Sequence, residues 1–406
     1  KSFGLVIEPL DVLFFRDGRP FGPSTRAGGG LPNPQTLWGA LTTALLARHG
    51  CDFNALRDAV QSGADWSDAV VQAAGGEKRW IAHLHLRGPW LAGTSSGAPP
   101  AVAARSTDNG SASLEVFLPA PATLHAPKKH AAGPLAAVSP LAQPLPGWHV
   151  GQAVQPDAPQ AGKPDLRLRP LWKRSAQPSE PARGFLTDRG QRAFRRGEDV
   201  DPDDLLKPED LYEYDHRTGI EIDADRLTAA ESRIYGARFL SLGRGVTFRY
   251  CTEGERYDVV FYAEAQLPSE APAEPLAGID LIAWGGEGRR ARISVVNPAY
   301  EWPMALTGGD GKRPFLLLTT PGLFDDGWKP RCLDGLLVAA AVPERLPVSG
   351  WDLARGGPKP NRFAAPAGSV YFLDALPDNP PHSLSDGDLE RRQGWGCYLQ
   401  GVWTDA

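Results

Sequence analysis

The sequence has no run of eighteen apolar residues, and its start shows no basic, apolar and cleavable leader. Neither a helical membrane span nor a secretory signal is expected, and we read the chain as cytoplasmic. Its four cysteines, Cys51, Cys251, Cys332 and Cys397, lie far apart and form no Cys-x-x-Cys pair. That spacing argues against a zinc ribbon and against a disulfide framework. Nucleotide-cofactor signatures are missing as well. Gly286-x-Gly288 lacks the third glycine of the dinucleotide fingerprint, because Ala291 stands there. Gly311-Lys312 is followed by Arg313 rather than Ser or Thr, which excludes a Walker motif. There is no Gly-x-Ser-x-Gly elbow and no convincing Cys–His pair.

Acid–base and metal chemistry is thin. His83 and His85 would share one face of an expected strand at Trp80–Arg87, but no third ligand follows at matching spacing. His125, Lys128, Lys129 and His130 form a small cluster that reads either as a basic phosphate-contacting loop or as general acid–base groups. Asp199, Asp201 and Asp203 imitate the start of a calcium loop, yet Pro202 intervenes and Asp204 occupies the position that needs glycine. No metal, cofactor or catalytic set is expected.

What is present is a chain of 406 residues, 42% hydrophobic, long enough for two domains with cores. The net charge of −5 is unevenly spread. Lys163–Gly197 holds ten Lys/Arg against three Asp/Glu, and Glu198–Asp225 holds twelve acidic residues against two Lys/Arg. Adjacent blocks of opposite sign suggest one face for a polyanion and another for a basic partner, or else a solvated insertion. Leu5–Phe15 is rich in β-formers, and Ile234–Leu242, Val246–Cys251, Tyr257–Ala265, Ile279–Trp284 and Arg292–Asn297 read as further strands. Phe315–Thr320, Leu336–Ala341 and Ser369–Leu373 follow in the same manner. Glu213–Asp223 reads as the tip or root of a hairpin. Of the twelve tryptophans, Trp38, Trp80, Trp90 and Trp284 are expected in the core. Trp302, Trp328, Trp351 and Trp395 are expected to pack loops, with base stacking open to one or two of them.

Two glycine–arginine loops carry the strongest signal. Residues 16–30 contain three arginines and five glycines, and lead to Asn33 as N-cap, Pro34 as first helical residue and Gly50 as stop. Amides at a helix start, permissive glycine backbone and nearby guanidinium groups make a phosphate site. Trp284-Gly-Gly-Glu-Gly-Arg-Arg-Ala-Arg292 repeats the plan in the other half. By itself it reads equally well as a tight turn with solvated arginines.

Several motifs together resemble one family. They are Asp11–Phe21, Pro34–Leu41, Arg217–Asp223, Trp284–Arg290, Thr320–Pro330, Ser349–Asp352, Pro358–Pro360 and Pro366–Phe372. The set is similar to the third-subunit family of the type III-B CRISPR (Cmr) complex, within the RAMP superfamily, and runs nearly end to end. The resemblance implies an α+β protein with two ferredoxin-like, RRM-related domains and antiparallel sheets. These would be residues 1–134 and 229–406, around an insertion at 135–228 that ends in a β-hairpin thumb near Ile222. It further implies a non-catalytic, antiviral RNA-binding subunit that holds the 5′ tag of the CRISPR RNA. Its partners would be that RNA, target RNA near the tag junction, the large polymerase/cyclase-like signature subunit and a backbone RAMP subunit. Arg16, Arg19, Arg26, Arg289, Arg290 and Arg292 would meet phosphates, with Asn33 and Thr36 at phosphate or base edges. Phe21, Arg217, Gly285, Gly286 and Gly288 complete the expected RNA-binding set. The alternatives are a metal-independent RAMP endoribonuclease using His125, His130 or His216, and a pure protein scaffold.

Overall fold

The strand Ser2–Pro9 alternates its side chains between two buried environments, which is why it reads as an unbroken apolar run. Phe3, Leu5 and Ile7 face a core shared with the helices, whereas Val6 joins Trp90, Tyr262, Val296, Cys397 and Leu399 on the opposite side. The computed structural model describes residues 1–15, 26–27, 30–96, 114–128, 133–142, 168–173, 177–223, 228–251, 254–297, 299–306, 311–352 and 356–406. For 26–27 and 219–235 only the backbone is considered.

Ser2–Pro9 lies within an eight-stranded sheet. Its order is Leu205–Leu206, Phe185–Leu186, Leu114–Pro119, His85–Ser95, Tyr257–Gln266, Ser2–Pro9, Arg290–Val296 and Leu281–Ala283. Every pairing in it is antiparallel, with Leu5 opposite Ala263 on one side and Val295 on the other. A second antiparallel sheet has the order Leu337–Ala341, Val370–Leu373, Arg313–Leu318 and Tyr398–Trp403. The α+β class with antiparallel sheets is as expected. The first sheet nevertheless interleaves strands from residues 2–119 with strands from 257–296, so its pairing spans the whole expected insertion.

Helix Pro34–Arg48 packs on the first sheet through Leu37, Trp38, Leu41, Leu45 and Leu46, which recur at three- and four-residue steps. Asn33 precedes it in extended conformation, Pro34 is its first residue, and Gly50 follows it at φ +74°. Among the described residues no helix is long and apolar enough to cross a membrane.

Two expected strands are corrected. Trp80–Arg87 is not one strand: Gly76–His83 forms a 3₁₀ helix and the strand starts at His85. Trp80, Ile81 and Ala82 are buried in succession, whereas the expected half-buried strand would alternate. His83 and His85 therefore do not share a strand face, and no metal-holding group of three His, Cys, Asp or Glu exists among the described residues. Val246–Cys251 is a turn in which Cys251 N–H donates to the Phe248 carbonyl, with a single bridge from Val246 to Tyr257. Its aromatic residues suggested a strand because Phe248 and Tyr250 are held in ring contacts rather than in a ladder. The segment Ile234–Leu242 is a strand, as expected, though within a longer one. It is the second arm of a hairpin, Thr228–Leu242, paired with Tyr212–Asp223 from Tyr212↔Leu242 to Asp223↔Thr228.

The two charged blocks also behave differently from expectation. Arg189 Nε bonds Asp204, Arg192 Nε bonds Asp188 at 2.7 Å, and Lys173 lies 3.7 Å from Asp199. Asp204 is 2% exposed and also accepts from Thr187 Oγ1 at 2.6 Å. Lys173 and Arg189 thus meet acids of the neighbouring block, whereas Arg192 meets one of its own. Asp201 accepts from the amide of Asp203, so this acidic run caps a short 3₁₀ turn instead of forming a calcium loop.

Candidate functional site

The second glycine loop is a tight turn between Leu281–Ala283 and Arg290–Val296, closed by Trp284 N–H donating to the Arg289 carbonyl at 2.9 Å. Gly285, Glu287 and Gly288 all take positive φ, at +93°, +57° and +66°. A Cβ on Gly285 would lie 2.7 Å from the Phe14 carbonyl oxygen, so only glycine fits. That carbonyl accepts the Gly286 amide at 2.8 Å. The loop is thereby bonded to the chain that leads into the first glycine loop.

The first loop closes on itself, since Gly30 N–H donates to the Phe15 carbonyl at 3.2 Å. Both of its ends are held by one hairpin arm. Leu13 and Leu240 exchange backbone hydrogen bonds at 2.8 and 2.7 Å, and Arg26–Ala27 pairs in parallel with Gly236–Ala237. Arg16, Arg19 and Phe21 lie outside the described residues, and of Arg26 only the backbone is described.

Phe239 is the centre of the assembly. It is 6% exposed and packs with Val12, Phe14 and Ala237, its ring centroid 5.1 Å from that of Phe14. The guanidinium groups of Arg217 and Arg289 each stand 4.8 Å from its ring centroid. Arg217 also bonds Asp215 at 2.7 Å, and Arg289 bonds Asp11 at 2.9 Å. Arg289 Nε is buried and has no partner among the described residues. On the opposite face of the hairpin Arg238 lies over Tyr214, whose hydroxyl is pushed above its ordinary pKa by burial, with Arg238 acting against the shift.

Trp284 links the turn to the helix start. It is 1% exposed, packs edge-on against Phe15 and Phe261, and donates Nε1–H to Thr36 Oγ1 at 3.3 Å. Thr36 Oγ1 in turn donates to the Asn33 carbonyl at 2.7 Å. Asn33 makes no side-chain cap, and the first turn carries no acidic residue, so the amides there keep their positive end toward solvent. Gln35 Nε2 donates to the Ser349 carbonyl at 2.8 Å, which brings the Ser349–Asp352 motif to the same place. Trp351 stands 60% exposed on it.

The described members of the expected set thus come together: Asn33, Thr36, Arg217, Gly285, Gly286, Gly288, Arg289 and Arg290. Arg292 lies two residues further along the strand Arg290–Val296, exposed, with Glu8 at 3.7 Å. Arg290 is exposed and has no ion-pair partner among the described residues. Asp11, Phe14 and Phe239 were missed in the sequence; the signal available for Phe239 was an aromatic directly after Arg238 on an expected strand. His125 is half-buried beside Ser179, with its pKa lowered by burial, on a different sheet. His130 lies outside the described residues. The arrangement can hold an extended anion across glycine backbone, helix amides, the unpaired Arg290 and the exposed Arg292 beside Glu8.

A family model described as CRISPR-associated protein (Cas_Cmr3) matches residues 5–403. Two solved structures align over 91% of this chain and 86% of theirs. One is the type III-B Cmr-beta bound to cognate target RNA, at 17% identity and TM-score 0.43. The other is the same assembly with target RNA and AMPPnP, at 16% identity and TM-score 0.44. No curated protein matches the chain.

Proposed function

We propose a function from a firm premise: this chain belongs to the Cas_Cmr3 family of CRISPR-associated proteins. It serves as a non-catalytic RNA-binding subunit of a type III-B effector complex in antiviral defence. It holds the 5′ tag of the CRISPR RNA and bridges the large polymerase/cyclase-like signature subunit to the first backbone RAMP subunit. The hairpin Tyr212–Asp223 and Thr228–Leu242 acts as the thumb near the tag–guide junction, where target RNA pairs. The two sheets, one begun by Ser2–Pro9 and the other by Arg313–Leu318, are the cores of two ferredoxin-like units.

One observation carries this reading. Five stretches, at 11–15, 33–36, 215–217, 237–239 and 284–290, meet around Phe239 and Trp284. Such convergence of glycine backbone, arginines and a helix start suits a single-stranded RNA backbone, with Trp351 exposed beside it as a stacking face. Arg289 is committed to Asp11 and Phe239, so Arg290 and Arg292 supply the direct phosphate contacts while Arg289 and Arg217 hold the hairpin root.

Photo-crosslinking of tag-bearing CRISPR RNA in the assembled complex tests this. Adducts within residues 16–30 and 285–292 are expected. Absence of adducts from both loops favours the scaffold reading. His216, exposed one residue from Arg217, keeps the nuclease reading testable in parallel. Discrete 2′,3′-cyclic-phosphate products from repeat RNA in EDTA would overturn the non-catalytic role.

A further inference from the structure

A cleft of about 490 Å³ lies at the opposite end of the first strand from the glycine loops. Ser2 lines it, whereas Pro9 at the other end pairs with Ala291 beside the glycine turn. Seven extended steps separate the two, roughly 20 Å. The cleft opens between the two sheets, and Arg87, Arg195, Gln266, His382 and Tyr398 are among its walls.

Arg195 forms its floor. The residue is 2% exposed, and its guanidinium donates Nε–H to the Gln400 carbonyl at 2.6 Å and Nη2–H to the Met304 carbonyl at 2.7 Å. No carboxylate among the described residues pairs with it. Burial lowers its pKa only to about 10, so it remains charged at neutral pH. Two carbonyl dipoles satisfy two donors but do not cancel a charge, and a buried cation without a counter-charge is costly. The nearest acid in the cleft is already engaged: Glu264 accepts from Arg87 at 2.9 Å, from Trp302 Nε1 at 2.5 Å and from the Tyr262 hydroxyl at 3.4 Å. The cleft therefore presents two guanidinium groups against one carboxylate, and Pro380, Pro381, His382 and Tyr398 are also among its lining residues.

We propose that this cleft is a second anion site, taking the phosphate of a nucleotide on Arg195 and Arg87 with its ring against Pro381, His382 and Tyr398. Its volume is within the range of small-ligand sites, and guanidinium pairs with nearby planar faces match a phosphorylated nucleoside in both charge and shape. The same chemistry comes from a free mononucleotide or from one nucleotide of a bound RNA. The site is built on other elements than the glycine loops and does not depend on the function proposed for them.

Isothermal titration of the full chain with AMP, adenosine and a short single-stranded RNA separates these cases. His382→Glu and Gln266→Glu add a carboxylate at exposed wall positions and leave the Arg195 bonds to Gln400 and Met304 untouched. AMP is expected to bind and adenosine not, with each variant weakening AMP roughly tenfold. If AMP fails to bind but both variants weaken the RNA, also in an Arg290→Ala/Arg292→Ala background, the ligand is a nucleotide of the RNA. Equal binding of AMP and adenosine, or no effect of either variant on any probe, overturns the proposal.

Discussion

The arginines of block 163–197 and those of the 285–292 loop look alike in sequence but meet different neighbours. In the block, Arg189 and Arg192 are bonded to Asp204 and Asp188, and Arg195 is buried against carbonyls. In the loop, Arg289 is pinned by Asp11 and Phe239, while Arg290 is unpaired among the described residues and Arg292 is 58% exposed with an acid only at 3.7 Å. Both stretches count as basic, but their arginines divide. Arg189, Arg192 and Arg289 are bonded to carboxylates, whereas Arg290 in the loop and Arg183 and Arg196 in the block are exposed with no ion pair among the described residues. A local excess of charge is thus no map of an interface. What matters is which carboxylates the fold has already brought to each guanidinium, and how far the remaining ones stand from solvent ions.

The comparison can be broken at its hinge. Phe239→Ala removes the ring on which Arg217 and Arg289 lie and the partner of Phe14, leaving a cavity at the hairpin root. A loss of about 3 kcal/mol in denaturant unfolding is expected, with RNA affinity falling as the hairpin loosens. A loss below about 1 kcal/mol would mean that Phe239 is not the centre of the assembly. A smaller effect sharpens the contrast. Arg189→Ala with Arg192→Ala should cost on the order of 1 kcal/mol of stability, because both arginines are largely solvated, and should leave RNA affinity unchanged. If RNA affinity drops instead, the paired block belongs to the interface and the distinction fails.

Local features of the site were legible in the sequence because they are written in contiguous residues. Asn33-Pro34 opened the helix, Gly285-Gly286 announced a backbone approach that Phe14 then occupies, and Glu213–Asp223 signalled a hairpin, of which it is one arm rather than the tip or root. What was illegible is non-local. Nothing near Thr228–Leu242 states that its partner lies upstream at Tyr212–Asp223, nor does Ser2–Pro9 name Tyr257–Gln266 as its neighbour. The same holds for charge: Asp204 finds Arg189 only after Phe185–Leu186 pairs with both Leu205–Leu206 and Leu114–Pro119. Runs such as Trp80–Arg87 misled because tertiary burial on successive residues overrode the alternation that a half-buried strand would need.

The central claim is that Arg290 and Arg292 contact RNA phosphates while Arg189 and Arg192, bonded to Asp204 and Asp188, do not. The most direct measurement is the dependence of tag-RNA affinity on salt for the wild type, Arg290→Ala/Arg292→Ala and Arg189→Ala/Arg192→Ala. Each phosphate contact on a single strand contributes a slope of about 0.7 to log K against log salt. The account predicts a slope shallower by about 1.4 and an affinity roughly tenfold weaker at low salt for Arg290→Ala/Arg292→Ala alone. Equal slopes and affinities for all three proteins would contradict it.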